Sequence, residues 1–251
     1  MKLTFIGNGA MAKAMIAGLV GTYEIEVIGK DLAKLQKLNE AFSGKLSLGL
    51  LQDGIDATGK TLLLCVKPHA LEAVAPHFHG EAHGLISVLA GTPLHALQKA
   101  FTCKHFIRAM PNLAAAHGAS MTLLTGDVAF RETAQNILQS IGKTHWLATQ
   151  KEFDIAMALT GSGPAFLALV AEALCDGVVS QGLKREDATF LTHGLFEGFA
   201  PLLQANHPAL IKEAVMSPGG VTAAGIGVLE EHKVRYALME TIKKTYEKTL
   251  K

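Results

Sequence analysis

Three residues near the start of the chain, Gly7, Gly9 and Ala12 in LTFIGNGAMAKAM, hold a G-x-G-x-x-A spacing between an apolar run and a helical pattern. Each has a physical task in binding a dinucleotide. A glycine at 7 permits a tight turn, a glycine at 9 lets the backbone approach a pyrophosphate, and Ala12 lets the helix pack close to the strand. The helix N-terminus adds free N–H groups and the positive end of a dipole for the phosphates. The second apolar run ends in Gly29-Lys30-Asp31. A carboxylate at this edge would accept hydrogen bonds from a ribose 2′-OH. Lys30 instead attracts a 2′-phosphate, which favours NADP(H), with NAD(H) as the lesser option. Lys67-Pro68, Ala90-Gly91 and Met110-Pro111-Asn112 close three later strands with turn-forming or small residues. These strand ends outline one crevice at the carboxyl edge of a sheet, where open α/β folds bind ligands.

A second chemical stretch lies far downstream, at Ser217-Pro218-Gly219-Gly220-Val221-Thr222. Pro218 and Gly219 suit the two central positions of a type II turn, since proline fixes φ and glycine accepts φ > 0. The two glycines leave their N–H groups open to a ligand. Thr222 reads as the N-cap of a helix starting near Ala223, a natural place to hold a carboxylate. Ser162 and Pro164 in GSGPAF read as a helix start. His77, His79 and His83, with Glu81 among them, sit where a helix hands over to a strand and read as loop histidines, so no metal is expected. Asp127, Glu132 and Asp176 read as solvated or capping carboxylates.

These residues need a scaffold. Apolar runs at Leu3–Ile6, Ile25–Ile28, Leu62–Val66, Leu85–Leu89, His105–Ile107, Met121–Leu124 and Thr144–Leu147 alternate with helical patterns at Met11–Gly21, Leu32–Phe42, Leu94–Phe101 and Val128–Ile141. This alternation predicts a doubly wound, largely parallel sheet over residues 1–150. From residue 151 to 251 only helical periodicity remains, at Lys151–Leu159, Pro164–Gln181, Arg185–Gln204, Ala209–Met216 and Ala223–Leu250. The fold class is an α/β Rossmann-type nucleotide domain followed by an all-α domain. Hydrophobic residues make up 49% of the chain, charged residues 18%, and the net charge is +1. That balance gives no electrostatic footprint for nucleic acid or an anionic membrane. Three dispersed cysteines without a CxxC pair exclude a thiolate zinc site and fit a reducing cytoplasm. No uninterrupted apolar run approaches the roughly 20 residues of a bilayer span, so a cytoplasmic, membrane-free protein is expected.

With these motifs in place the chain resembles the pyrroline-5-carboxylate reductase family. The resemblance is carried by GNGAMA at 7–12, VKP at 66–68, AG at 90–91, RAMPN at 108–112, GSGPAF at 161–166, CDGVVSQGL at 175–183, HPALIKE at 207–213 and SPGGVT at 217–222. It implies that Gly7, Asn8, Gly9, Ala10, Met11 and Ala12 bind the cofactor pyrophosphate. Val66, Lys67, Pro68 and Ala90 would line the rest of the groove, with Asn112 near the nicotinamide. Ser217, Gly219, Gly220 and Thr222 would form the substrate site, and a site role for Ser162 rests on the resemblance. It also implies a homodimer or higher homo-oligomer built through interleaved helices of the second domain. Leu113-Ala114 stands where many members have Thr-Pro, and the second strand end lacks the Ser or Arg that many use on the 2′-phosphate.

The implied reaction moves hydride from nicotinamide C4 to C5 of a cyclic imine, 1-pyrroline-5-carboxylate, giving proline; the cofactor carries the hard chemistry and the protein must bind and orient. Ser217 and backbone N–H groups would hold the carboxylate, and the Thr222 hydroxyl would hydrogen-bond the imine nitrogen. No side chain stands out as a general acid, so the proton comes from water or arrives on the substrate. The alternatives are a reductase of another small cyclic imine or hydroxyacid, or a non-catalytic NADP(H) sensor. Such reductases generally carry a catalytic lysine in the first helix of the second domain, where this chain has Lys151 only at the very start. The intact Ser217–Thr222 set speaks against a sensor.

Overall fold

The computed structural model describes residues 1–250, which divide into two compact units: Met1–Ser162 joined by the C-terminal residues from Thr245, and Gly163–Lys244. In chain order the strands are β1 (Lys2–Ile6), β2 (Glu24–Gly29), β3 (Leu46–Leu50), β4 (Ile55–Asp56), β5 (Thr61–Leu64), β6 (Phe78–His79), β7 (Ala82–Ser87), β8 (Cys103–Met110), β9 (Ser120–Gly126) and β10 (Gly142–Trp146). Eight of them form one sheet in the order β3-β2-β1-β5-β7-β8-β9-β10, while β4 and β6 pair separately. Every neighbouring pair in the large sheet is parallel except β8 and β9. The chain steps outward from β1 to β3 and then returns to β5 on the other side of β1. The order of strands therefore reverses between β1 and β5, the topological switch point where such sheets bind ligands.

Both faces of the sheet are covered, which explains why its central strands read as largely apolar runs. Because side chains alternate between faces, Leu3, Phe5, Val27, Leu63 and Ile86 pack on one side with Ala12, Met15, Ile16 and Leu19 of α1 (Ala10–Leu19). Ile6, Ile28, Leu62, Leu64 and Leu85 face the other way, with Val74 and Leu97. The remaining helices of this unit are α2 (Leu32–Ala41), α3 (Leu71–Val74), α4 (Leu94–Ala100), α5 (Arg131–Gln139) and α6 (Gln150–Thr160). Helix α6 packs with the sheet unit, since Phe153 and Met157 are buried with Met110 and Leu123.

The second unit contains α7 (Gly163–Ser180), α8 (Arg185–Ala205), α9 (Pro208–Val215) and α10 (Val221–Glu231), and α11 (Val234–Thr249) begins there. Several features differ from the sequence expectations, among them the short β4, β6 and α3, which were not expected, and α6, which packs with the sheet unit. Strand β3 was not expected; its LSLGL carries a glycine and is only partly buried, so it lacks the marks of a buried strand. The single helix expected over 223–250 is two helices, broken at Lys233, whose φ of +55 is a left-handed helix stop. The stretch Gln150–Ser180 is, by length and composition, apolar enough to cross a membrane, with a mean hydropathy of 1.5 over its most apolar window. Charges such as Asp154, Glu172 and Asp176 interrupt this stretch yet leave its average hydropathy high.

Candidate active site

The site begins at the turn that leaves β1. Gly7 has φ +108, and a Cβ there would lie 2.8 Å from the Cys65 carbonyl oxygen, so no side chain fits. Its N–H donates to the Ile28 carbonyl at 2.8 Å, tying the turn to the end of β2. Gly9 is the N-cap of α1, and nothing lies within 4 Å of where its Cβ would be. One turn later Ala12 is fully buried against the sheet. A tight turn, an open backbone face and a close-packed helix thus follow one another, as a pyrophosphate cradle requires. Ala10 and Met11 open the same helix.

An open cleft of about 310 Å³ lies over the carboxyl ends of β1, β2 and β5, and it brings together Gly7, Asn8, Gly9, Lys30, Val66 and Lys67. Pro68 follows Lys67 as the first residue of a 3₁₀ turn. Lys34 and His69 also reach this cleft, and the sequence did not single them out. The neighbouring acid, Asp31, is engaged: its carboxylate caps α2 by accepting the Lys34 N–H at 3.1 Å. That bond, with the Lys34 charge, outweighs desolvation and holds its pKa below the usual aspartate value. Cys65 also lines the cleft, where burial pushes its thiol far above the ordinary range and keeps it neutral.

Ala90 and Asn112 are not part of this lining; they lie at the exits of β7 and β8, two and three strands from β1. Ala90 is exposed. Asn112 is buried, and both ends of its amide are engaged: Oδ1 accepts the Ala114 N–H at 3.1 Å and Nδ2 donates to the Thr160 carbonyl at 3.0 Å. His83 stacks edge-on with His105 and Phe130 at 5.6 and 5.4 Å. Among the described residues no three His, Cys, Asp or Glu are grouped to hold a metal ion, and His77 and His79 are not drawn toward His83 in such a group.

In the second unit, the Gly220 N–H donates to the Ser217 carbonyl at 3.0 Å and Gly219 has φ +68, the pattern of a type II turn. The position of Thr222 corrects the sequence expectation. Helix α10 starts at Val221, its N-cap is Gly220, and Thr222 is its second residue. Gly220 takes the cap because the turn delivers it in extended geometry, φ −77 and ψ 172, at the helix entry. The first intrahelical bond is Ala224 N–H to Gly220 carbonyl, so the N–H groups of Val221, Thr222 and Ala223 are left open by the helix. Ser162 directly precedes α7, with Pro164 as the second helical residue.

Comparison with known proteins decides the family. Residues 150–251 match the family model described as pyrroline-5-carboxylate reductase dimerisation, and residues 2–91 match that of NADP oxidoreductase, coenzyme F420-dependent. A pyrroline-5-carboxylate reductase of Synechocystis is 35% identical, covering 99% of this chain and 97% of its own length. The chain belongs to the pyrroline-5-carboxylate reductase family. The crystal structure of a 1-pyrroline-5-carboxylate reductase from Streptococcus pyogenes superposes with a TM-score of 0.89 at 30% identity, covering 100% of this chain and 98% of that one. A Plasmodium falciparum pyrroline carboxylate reductase with NADP bound shares the fold, with a TM-score of 0.82 at 23% identity, covering 100% of this chain and 97% of that one. As a member of the pyrroline-5-carboxylate reductase family the chain is an oxidoreductase with a nicotinamide-cofactor domain and a dimerisation domain. The hydroxyacid-reductase, other-imine and sensor alternatives are not favoured.

Within RAMPN the chain hides a residue that the sequence did not single out. Arg108, on β8, is 2% exposed and donates from Nη2 to Asp154 Oδ1 at 2.7 Å and from Nη1 to Gln150 Oε1 at 3.3 Å. Its guanidinium lies 4.5 Å over the Phe153 ring. A charge inside an apolar strand run leaves no periodicity to find it by. The available signal was downstream: Gln150 and Asp154 are four apart on one helix face.

Proposed function

We propose that this chain reduces 1-pyrroline-5-carboxylate to L-proline, with NADPH as the preferred reductant and NADH as a lesser one. The observation that carries this reading is near-full-length identity of 30–35% to reductases of that name, joined to a glycine cradle that leaves room for a pyrophosphate. The cofactor, when bound, supplies the hydride. The protein's share is binding and orientation. Gly7 to Ala12 hold the pyrophosphate, and Val66, Lys67, Pro68, Ala90 and Asn112 hold the rest of the dinucleotide. Open N–H groups at the start of α10, with Gly219, Gly220 and the Ser217 hydroxyl, take the substrate carboxylate, and Ser162 supports the same site. The Thr222 hydroxyl meets the ring nitrogen. Residues 1–150 serve the cofactor and 151–251 serve dimerisation and substrate. We read the protein as a cytoplasmic homodimer, with a second copy rather than lipid covering the apolar helices.

The NADPH preference rests on Lys30, Lys34, Lys67 and His69 around one cleft, whose nearest acid is tied up as a helix cap. The test is pyrroline-5-carboxylate-dependent oxidation of NADPH and NADH in parallel, for the wild type and Lys30→Glu. Wild-type kcat/KM is expected to favour NADPH, and Lys30→Glu to lower it with NADPH by about tenfold, or about 1.4 kcal/mol, while sparing NADH. Equal losses with both would sink the role of Lys30, and no turnover in the wild type would sink the reading itself.

A further inference from the structure

Arg108 has an unusual environment for an arginine. Among the described residues its Nε is the one buried side-chain nitrogen or oxygen without a hydrogen-bond partner, and an orphaned buried donor is destabilising. Buried ion pairs are also poor stabilisers compared with apolar groups of like volume. The partners of the guanidinium point to what it does. The capping box of Thr149 and Glu152 fixes the first turn of α6, which sets Gln150, Phe153 and Asp154 on the face toward β8. Gln150 Oε1 accepts from Arg108 and also from the Leu94 N–H at 2.8 Å. Leu94 is the first residue of α4, so its N–H has no partner within that helix, and the N-cap Pro93 offers no side-chain acceptor.

We propose that Arg108 is a positioning residue for hydride transfer: through Gln150 it anchors the start of α4 and so fixes the loop Ala90-Gly91-Thr92-Pro93. This rests on the reading above that Ala90 helps to line the cofactor groove, and it takes Ala90, with Asn112 at the next strand exit, as the nicotinamide end. The loop is short and exposed at Ala90 and Gly91, and Gly91 sits at φ +66. Where the loop runs into α4, the Leu94 N–H is tied to α6 by the side chain that Arg108 orients. A loop free to shift by an ångström would leave cofactor binding at the β1–β2 end intact, yet spoil the hydride geometry.

The test compares Arg108→Met, Gln150→Ala, the double variant, Gln150→Glu and Gly91→Ala in the intact enzyme. Readouts are kcat, the Kd for NADPH, the isotope effect with C4-deuterated NADPH, and Tm. Arg108→Met and Gln150→Ala are each expected to lower kcat about tenfold, to raise the isotope effect, and to leave Kd within twofold. The double variant should lose about tenfold as well rather than a hundredfold, because the two residues are links of one chain. Gln150→Glu, which keeps an acceptor for both donors, should restore most of the rate. Gly91→Ala forces a side chain into a left-handed backbone and should lower kcat without changing Kd. Wild-type kcat in Arg108→Met or Gln150→Ala, multiplying losses, or losses that follow Tm would overturn the relay. A neutral Gly91→Ala would overturn the placement of the nicotinamide, and the proposal with it.

Discussion

Thr222 is the second residue of α10 and not its cap, and this changes what its hydroxyl is for. An N-cap threonine satisfies a helix donor, and replacing it costs about 1 kcal/mol of stability. Here the cap is Gly220, which has no side chain to offer and leaves the first N–H groups of the helix open, and among the described residues the Thr222 hydroxyl has no bonding partner. Its loss should therefore be felt in turnover rather than in folding. Thr222→Ala is expected to lower kcat about tenfold, with the denaturation midpoint moved by less than about 0.5 kcal/mol, and Thr222→Ser should recover the rate. Steady-state kinetics beside urea titration checks both; a variant that loses stability but keeps kcat would return Thr222 to a structural role. The same contrast holds at Gly220. A Cβ there would come 2.3 Å from Ser217 Oγ, the end of a small side chain that can swing away, so the group it disturbs is the proposed carboxylate ligand.

At the level of elements, Glu26 ties three strands together beneath the site. Its carboxylate on β2 accepts from the Thr4 hydroxyl on β1 at 2.8 Å and from Lys2 and Lys60 at 3.1 Å each, the latter just ahead of β5. Burial raises its pKa, but the hydrogen bonds from Thr4, Lys2 and Lys60 and the Lys60 charge outweigh it, and the net value lies below 4.5. A carboxylate with a lowered folded pKa adds stability that is fully present above 4.5 and is lost as pH falls through the folded value. Glu26→Gln should thus destabilise the protein by about 1–2 kcal/mol at pH 7, and the gap to wild type should close toward pH 3; urea titration at both pH values reads it. A gap that does not narrow would mean that the charge is irrelevant. The elements themselves were legible wherever burial was two-sided. β1, β2, β5 and β7 announce themselves because both faces of the sheet are covered and most of their positions are apolar. β3 did not, since an edge strand pairs on one side and Gly49 sits in it beneath Ile28, where a Cβ would lie 2.6 Å from Cδ1. The glycine motif was readable because each position has a local steric reason. Arg108 was not, because its reason is a helix forty residues away. The helix stop at Lys233 also escaped, since lysine carries no left-handed preference and only the chain's turn imposes it.

For the molecule as a whole, the second unit cannot be understood as an isolated domain. From Gly163 to Lys244 only Cys175, Ala188 and Thr192 are buried, while Phe190 is 77% exposed and Leu195 58%. A chain segment ordered into five helices must offset its conformational entropy by burying apolar surface, and this segment has not done so by itself. Between α7 and α8 runs an apolar groove of about 400 Å³ lined by Leu167, Val170, Leu174, Leu195, Phe199 and Leu203. These positions recur at three- and four-residue intervals and form stripes on facing helices, as expected for helices awaiting the apolar face of another chain. The matched dimerisation family model covers the whole of this unit. If a second copy fills the groove, stability and association are one equilibrium, and Tm should rise with protein concentration. Leu195 and Phe199 are four apart on α8, so Leu195→Glu with Phe199→Glu puts two charges on one stripe without touching the sheet unit. Each unpaired charge forced into an apolar interface costs several kcal/mol, enough to weaken association by about a thousandfold or more. Sedimentation equilibrium should find a dimer for the wild type and none for this variant at micromolar concentration, together with lost turnover. Because the cradle from Gly7 to Ala12 is built wholly within the sheet unit, the variant should still bind NADPH. An unaltered dimer in the variant would mean that the groove between α7 and α8 is not where the copies meet.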